Sequence, residues 1–214
     1  MPYIMIRAGL AAELSRRADT DRRARNRWSQ TGEAGDLARI DADNTAWIKS
    51  VIAEHGWPGT ALVGDRGADE AWLLVQHADR APEFQGQALQ QLKSAVEAGD
   101  APARHLAYLT DRVLVGAGKP HLYGTQYADD GNSLRPQPVQ DPDGLDERRA
   151  AMGLDSAAAY DQCMRKTYSS GNSGRPDARD NPCRPGRPDG PPRVTPEGPR
   201  YANCESNKGG AAQR

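Results

Sequence analysis

The chain puts its most reactive residue types in two short stretches. The first is Gln76-His77-Ala78-Asp79, which closes the apolar run AWLLVQ. An imidazole in the last turn of a hydrophobic helix is easily shifted across neutral pH, so His77 is the candidate general acid or base. Asp79, two residues on, or Asp111, further along, would orient it. The second stretch is HLYGTQ, residues 121–126. Here Tyr123, Thr125 and Gln126, together with Gln76 and Gln85, offer donors and acceptors to a polar small molecule or a peptide group. Arg112 would take a carboxylate or phosphate. Buried Gln and Tyr side chains must be paired, at about 1–3 kcal/mol for each group left unsatisfied. These residues therefore either satisfy one another or wait for a ligand. Strand alternation places Tyr123 and Thr125 on one face, and Gln126 joins them only if the strand bulges or ends at Gly124.

Other chemistries find no support. "HAD" does not align His77 and Asp79 on one helical face, and nothing resembles HExxH or paired cysteines, so no metal site is expected. GxxxxGK[ST], GxGxxG after a strand and GxSxG are all absent, which disfavours nucleotide binding and an α/β-hydrolase site. No cofactor is expected. His55 sits at a helix C-terminus, where a cation is favourable, and His105 near a helix start is expected to be exposed. The three cysteines, 163, 183 and 204, are odd in number and late in the chain, consistent with a reducing cytoplasm.

A chain of 214 residues with a formal net charge of -1 gives no global electrostatic case for nucleic acid or an anionic membrane. No apolar run approaches the roughly 18 residues of a membrane span. In MPYIMIRAGLAAELSRR the apolar part precedes the basic part, the reverse of a secretory signal, so it reads as an amphipathic helix. Residues 1–168 are expected to form one helical domain. Residues 169–214 differ: from Gly171 onward there are eight of the chain's 16 Pro and no Leu, Ile, Phe, Met or Trp. Such a composition cannot offset its ordering entropy and predicts a disordered, mildly basic tail.

Hydrophobic spacing then gives the elements that must position the two stretches. A helix over 4–27 carries Ile6, Leu10, Leu14 and Ala18 on one side. Its many arginines form either a phosphate or acidic-partner face or a solvated one, with Asp21 paired to Arg25. A second helix starts at Asp43 or Asn44 and stops at His55-Gly56. Residues 57–66 read as a loop anchored by Trp57, and helices follow over 68–78, 82–98 and 103–115. Lys119–Tyr127 and Leu134–Val139 read as a hairpin, about 119–139, with its second strand at an edge because of Pro136 and Pro138. Two closing helices follow over 143–152 and 156–166, the second capped by Asp155 or Ser156. The expected fold is mainly α: six to seven helices and one small hairpin.

The motifs HGWP, AWLLVQHAD, EFQ, LAYLTDRVLV, GKPHLYGTQ and DERRAAMGL resemble a bacterial domain-of-unknown-function family common in actinobacteria. The likeness runs from about Leu14 to about Tyr160. It implies a shared polar site without naming a reaction, and relatives often carry Gln at position 121. Two functions of different class fit. One is a cofactor-independent acid–base enzyme (hydrolase, lyase or transferase) acting on a polar small molecule or peptide. The other is a non-catalytic interaction or ligand-binding module whose polar motifs form a structural network.

Overall fold

The apolar stripe of the first helix sets the architecture. In α1 (Pro2–Thr31), Leu14 and Ala18 are fully buried, and the helix packs along α3 (Thr60–Gln76) with α2 (Leu37–His55) against both. A second pair, α4 (Pro82–Glu97) and α5 (Ala103–Gly116), lies against α3. The α4 stripe of Phe84, Ala88, Leu92, Ala95 and Val96 is buried as its spacing predicts. The computed structural model describes residues 2–129 and 134–168, so the proposed tail at 169–214 lies outside the described residues. Among the described residues the rest is a two-stranded antiparallel sheet, β1 (Tyr127–Asp129) with β2 (Leu134–Pro136), a 3-10 turn (Pro142–Gly144), α6 (Leu145–Ala151) and α7 (Ala157–Tyr168). The mainly α fold with one small hairpin is thus the observed fold. No helix among the described residues is long and apolar enough to cross a membrane.

Several boundaries differ from expectation for identifiable reasons. α2 starts at Leu37, not at Asp43 or Asn44, because Leu37 is buried and the polar DADN run stays helical under arginines from α1. Residues 60–66 are helical, not a loop. Their first turn is capped from elsewhere in the chain: Asp100 Oδ1 accepts from Thr60 Oγ1 at 3.0 Å and from the Ala61 amide at 2.6 Å. Gly64, at φ 73° and ψ 170°, interrupts the helical path within α3. The hairpin is shorter than 119–139. His121 to Gln126 form no strand beyond a single parallel bridge from His121 to Val139. Of the two proposed caps on α7, Ser156 does the work, its Oγ accepting from the Ala159 amide at 3.2 Å.

Trp57 and Trp72 are both core, and the Trp72 indole stacks on His105 with centroids 4.5 Å apart. Trp57→Ala and Trp72→Ala should each lower the unfolding free energy by about 3–5 kcal/mol in urea melts, the usual range for deleting a buried large aromatic. Gly59→Ala should cost about 1–3 kcal/mol, because its Cβ would overlap the capping Asp100.

Candidate functional site

His77 ends α3 at the meeting point of three other helices. Its Nδ1 lies 2.8 Å from Asp21 Oδ2 and 2.9 Å from Arg25 Nε, both on α1. These two contacts need opposite roles of Nδ1, and charge decides between them. An unprotonated Nδ1 would set its lone pair against a fully buried carboxylate. Nδ1–H therefore donates to Asp21, and Arg25 Nε donates to the same carboxylate at 3.2 and 3.3 Å. Arg25 Nη2 continues to Asp41 of α2 at 2.6 Å. No hydrogen bond among the described residues engages His77 Nε2, which leaves a lone pair on an imidazole oriented by a carboxylate.

The electrostatics of this cluster are mutual. Burial pushes the His77 pKa below its ordinary value; Asp21 opposes that, while Arg25 and Arg112 add to it. Burial also works against the Asp21 charge, but His77 and Arg25 outweigh it and hold the carboxyl below its usual range. Asp41 goes the other way, pushed up mainly by burial. On the far side, Asp79 takes a bidentate pair from Arg112, Nε at 2.7 Å and Nη2 at 2.6 Å. That pair outweighs burial and keeps the Asp79 carboxyl low. Gln85 is buried, its Nε2 donating to the carbonyls of Val75 and Gln76 and, at 3.4 Å, to Asp79. The Gln76 amide, oriented to satisfy its neighbours, accepts from the Leu109 amide at 3.0 Å and from Trp72 Nε1 at 3.2 Å. Asp79 thus partners Arg112, and it is Asp21 that bonds His77. Among the described residues, no three His, Cys, Asp or Glu side chains gather closely enough to hold a metal ion.

HLYGTQ is organised by Asp111, not by His77. The Asp111 carboxylate is fully buried on α5. It accepts from the amides of Leu122 at 2.8 Å, Tyr123 at 3.0 Å and Thr125 at 2.9 Å, and from Thr125 Oγ1 at 2.9 Å. The loop can wrap it because Gly124 adopts φ +66°. From the other side Arg149, also buried, donates to the Tyr123 carbonyl and, at 2.6 Å, to the Asp155 carbonyl, with its guanidinium over the Tyr160 ring. Tyr160 Oη donates to the Thr125 carbonyl at 3.3 Å. Gln126 is half-buried, and its Nε2 donates to Thr125 Oγ1 at 3.1 Å. His121 is fully buried and accepts from the Gln126 amide through Nδ1 at 3.3 Å; burial lowers its pKa against the pull of Asp111. His105, expected to be exposed, is buried beneath Trp72 with Nε2 3.0 Å from Asp69.

The predicted residues thus fall into two networks. Gln76, His77, Asp79, Gln85 and Arg112 lie around the end of α3; Asp111, Tyr123 and Thr125 form the loop anchor with Gln126. Sequence reasoning missed Asp21 as a partner of His77, as well as Arg25, Asp41 and Arg149. A signal for Asp21 existed: Leu14, Ala18, Asp21 and Arg25 follow the helical repeat, so Asp21 continues a buried stripe as a carboxylate. The model of DUF6624, a family of unknown function, matches residues 16–171 and so spans both networks. The chain belongs to that family. No curated protein and no solved structure matches the chain.

Two outcomes follow from these networks. Asp111→Ala would strand three backbone donors, each worth about 1–3 kcal/mol, so urea melts should show a loss of at least about 3 kcal/mol. The histidines give a pH signature. An unfolded His protonates near pH 6.5, whereas His77 and His121 do so lower in the fold. Between those values the unfolded chain binds more protons, so stability falls as pH drops through about 6.5. Asp21 and Asp79 lose their contribution only below the ordinary carboxylate range, and the raised Asp41 acts with the opposite sign. Tm should therefore be lower at pH 5.5 than at pH 7.5, with a shallower slope in His77→Gln; an equal slope would remove His77 from the effect.

Proposed function

We propose that this protein is an acid–base enzyme needing no resident cofactor, in which His77 is the general base or acid and Asp21 its orienting partner. The observation that carries the reading is the buried Asp21 carboxylate at 2.8 Å from Nδ1, with Nε2 left without a hydrogen-bond partner among the described residues. A carboxylate on one ring nitrogen fixes the tautomer and supports the imidazolium formed when the other nitrogen takes a proton. The lowered pKa keeps the ring neutral, and so basic, at pH 7. A polar small molecule or peptide group would approach past Asp79 and Arg112, the exposed and part-exposed members of the cluster. Hydrolysis, elimination and group transfer all fit a positioned base of this kind.

A second reading is a non-catalytic module whose polar motifs are structural. The saturated carboxylate of Asp111 favours it for HLYGTQ: Tyr123 and Thr125 spend their amides on the fold.

Diethyl pyrocarbonate acylates neutral, accessible imidazoles, and peptide mass spectrometry reads each His separately. At pH 7, His77 should be modified along with the exposed His55, while His105 and His121 stay protected. Any turnover found on a panel of esters, amides and phosphate esters should fall by about 10²–10⁴ in His77→Gln. A His77 that resists modification in the folded protein, or a turnover that survives His77→Gln, would place the chemistry elsewhere and leave the non-catalytic module as the better account.

A further inference from the structure

A different flank of α1 faces α2 across a concave groove of about 730 Å³. Its wall carries Arg16, Arg17, Arg23, Arg27 and Arg39, against only two acidic residues, Asp36 and Asp43. Three of the arginines are engaged. Arg16 and Arg17 bond Glu13, Arg17 also lies over the Trp47 ring at 4.7 Å, and Arg39 pairs with Asp36 and Asp43. Arg23 and Arg27 have no hydrogen-bond or ion-pair partner among the described residues. Two unpaired guanidinium groups one turn apart, beside three others, leave a strong local excess of positive charge on a chain whose net charge is -1.

The groove is more than a basic surface, because its floor holds an unsatisfied donor. Asn44 is 5% exposed and lines the groove. Arg17 Nη1 donates to Asn44 Oδ1 at 3.1 Å, and this fixes the orientation of the amide. Nδ2 is then a buried donor with no hydrogen-bond partner among the described residues, an arrangement that calls for an acceptor. At one end the groove is closed by Ala34, Gly35 and Asp36, at the N-terminus of α2, where the Leu37 amide bonds the Ala34 carbonyl at 2.9 Å and no side-chain cap takes up the amides that follow. Backbone donors and the positive end of a 19-residue helix favour an anion there.

We propose that this groove binds a small molecule bearing two or more phosphate-like anionic groups. Its volume lies in the range of small-ligand sites, about 300–1,000 Å³. Arg23 and Arg27 would hold one anionic group in the charge-assisted, forked manner of guanidinium groups. A second group would accept from Asn44 Nδ2 and approach the amides at the start of α2. The site is separate from His77 and stands whether or not that residue is catalytic.

Inorganic pyrophosphate is the probe, titrated calorimetrically into the full-length protein in a phosphate-free, low-salt buffer. One-to-one binding is expected, weakening at least tenfold in the Arg23→Ala/Arg27→Ala double variant, whose side chains are exposed and make no hydrogen bond or ion pair among the described residues. Arg80→Ala, an exposed arginine outside the groove, should leave the affinity unchanged, and raising the salt should weaken binding. Three results would overturn the proposal: no binding at millimolar pyrophosphate, equal weakening in the double variant and in Arg80→Ala, or an inert pyrophosphate combined with tight binding of polyglutamate or single-stranded DNA. The last would make the groove a macromolecular interface.

Discussion

A buried carboxylate with its acceptor capacity filled by one loop is the constraint on which the C-terminal half rests. Residues 122–126 form neither helix nor strand, so their amides have no ladder to enter. Asp111 gathers those of Leu122, Tyr123 and Thr125 into a single point. The carbonyls face the other way and are met by Arg149, by Tyr160 and, at Leu122, by Arg148. One loop is therefore clamped between charges of opposite sign, with α5 on one side and α6 and α7 on the other. Burying such charges costs several kcal/mol each unless every lone pair and proton is used. Here the loop backbone itself supplies the partners.

The cluster at the end of α3 uses the same currency of buried charge to a different end. Around Asp111 the donors are backbone amides and the result is a fixed shape. Around His77 the partners are side chains from α1, α2, α5 and the α3–α4 turn, all ionisable. Their protonation states depend on one another, with Asp21 and Asp79 held low and Asp41 pushed up. A cluster of this kind can accept or release a proton without repacking a helix, which is the property an acid–base site needs.

Much of this was legible in the residues. Helical spacing gave the α4 stripe to the residue, and Pro82 and Gly56 marked boundaries. The Asp21–Arg25 pair was visible at its i,i+4 spacing, but its burial was not, because six nearby arginines made the whole face look solvated. Where local signals failed, a distant partner had intervened. Thr60 looked like loop because its cap, Asp100, is 40 residues away. HLYGTQ looked like strand because Tyr and Thr favour strands, whereas a carboxylate on α5 supplied a better set of acceptors than a neighbouring strand. The partner of His77 was sought among nearby residues and among those close to HLYGTQ, while it sits on a helix 56 residues earlier.

The capping of α3 by Asp100 has a kinetic side. A helix normally carries its own N-terminal cap and can nucleate where it stands. In this chain the carboxylate and the carbonyl of Asp100 both serve the first turn of α3, and they arrive only when α4 has formed and turned back. Closing that 40-residue loop carries an entropy cost that local helices avoid. The turn over Thr60–Val63 is therefore expected to complete only after α4 has turned back, which would give it low φ-values. The start of α3 is thereby tied to the end of α4 and the turn before α5, and these segments are expected to open together as one cooperative unit.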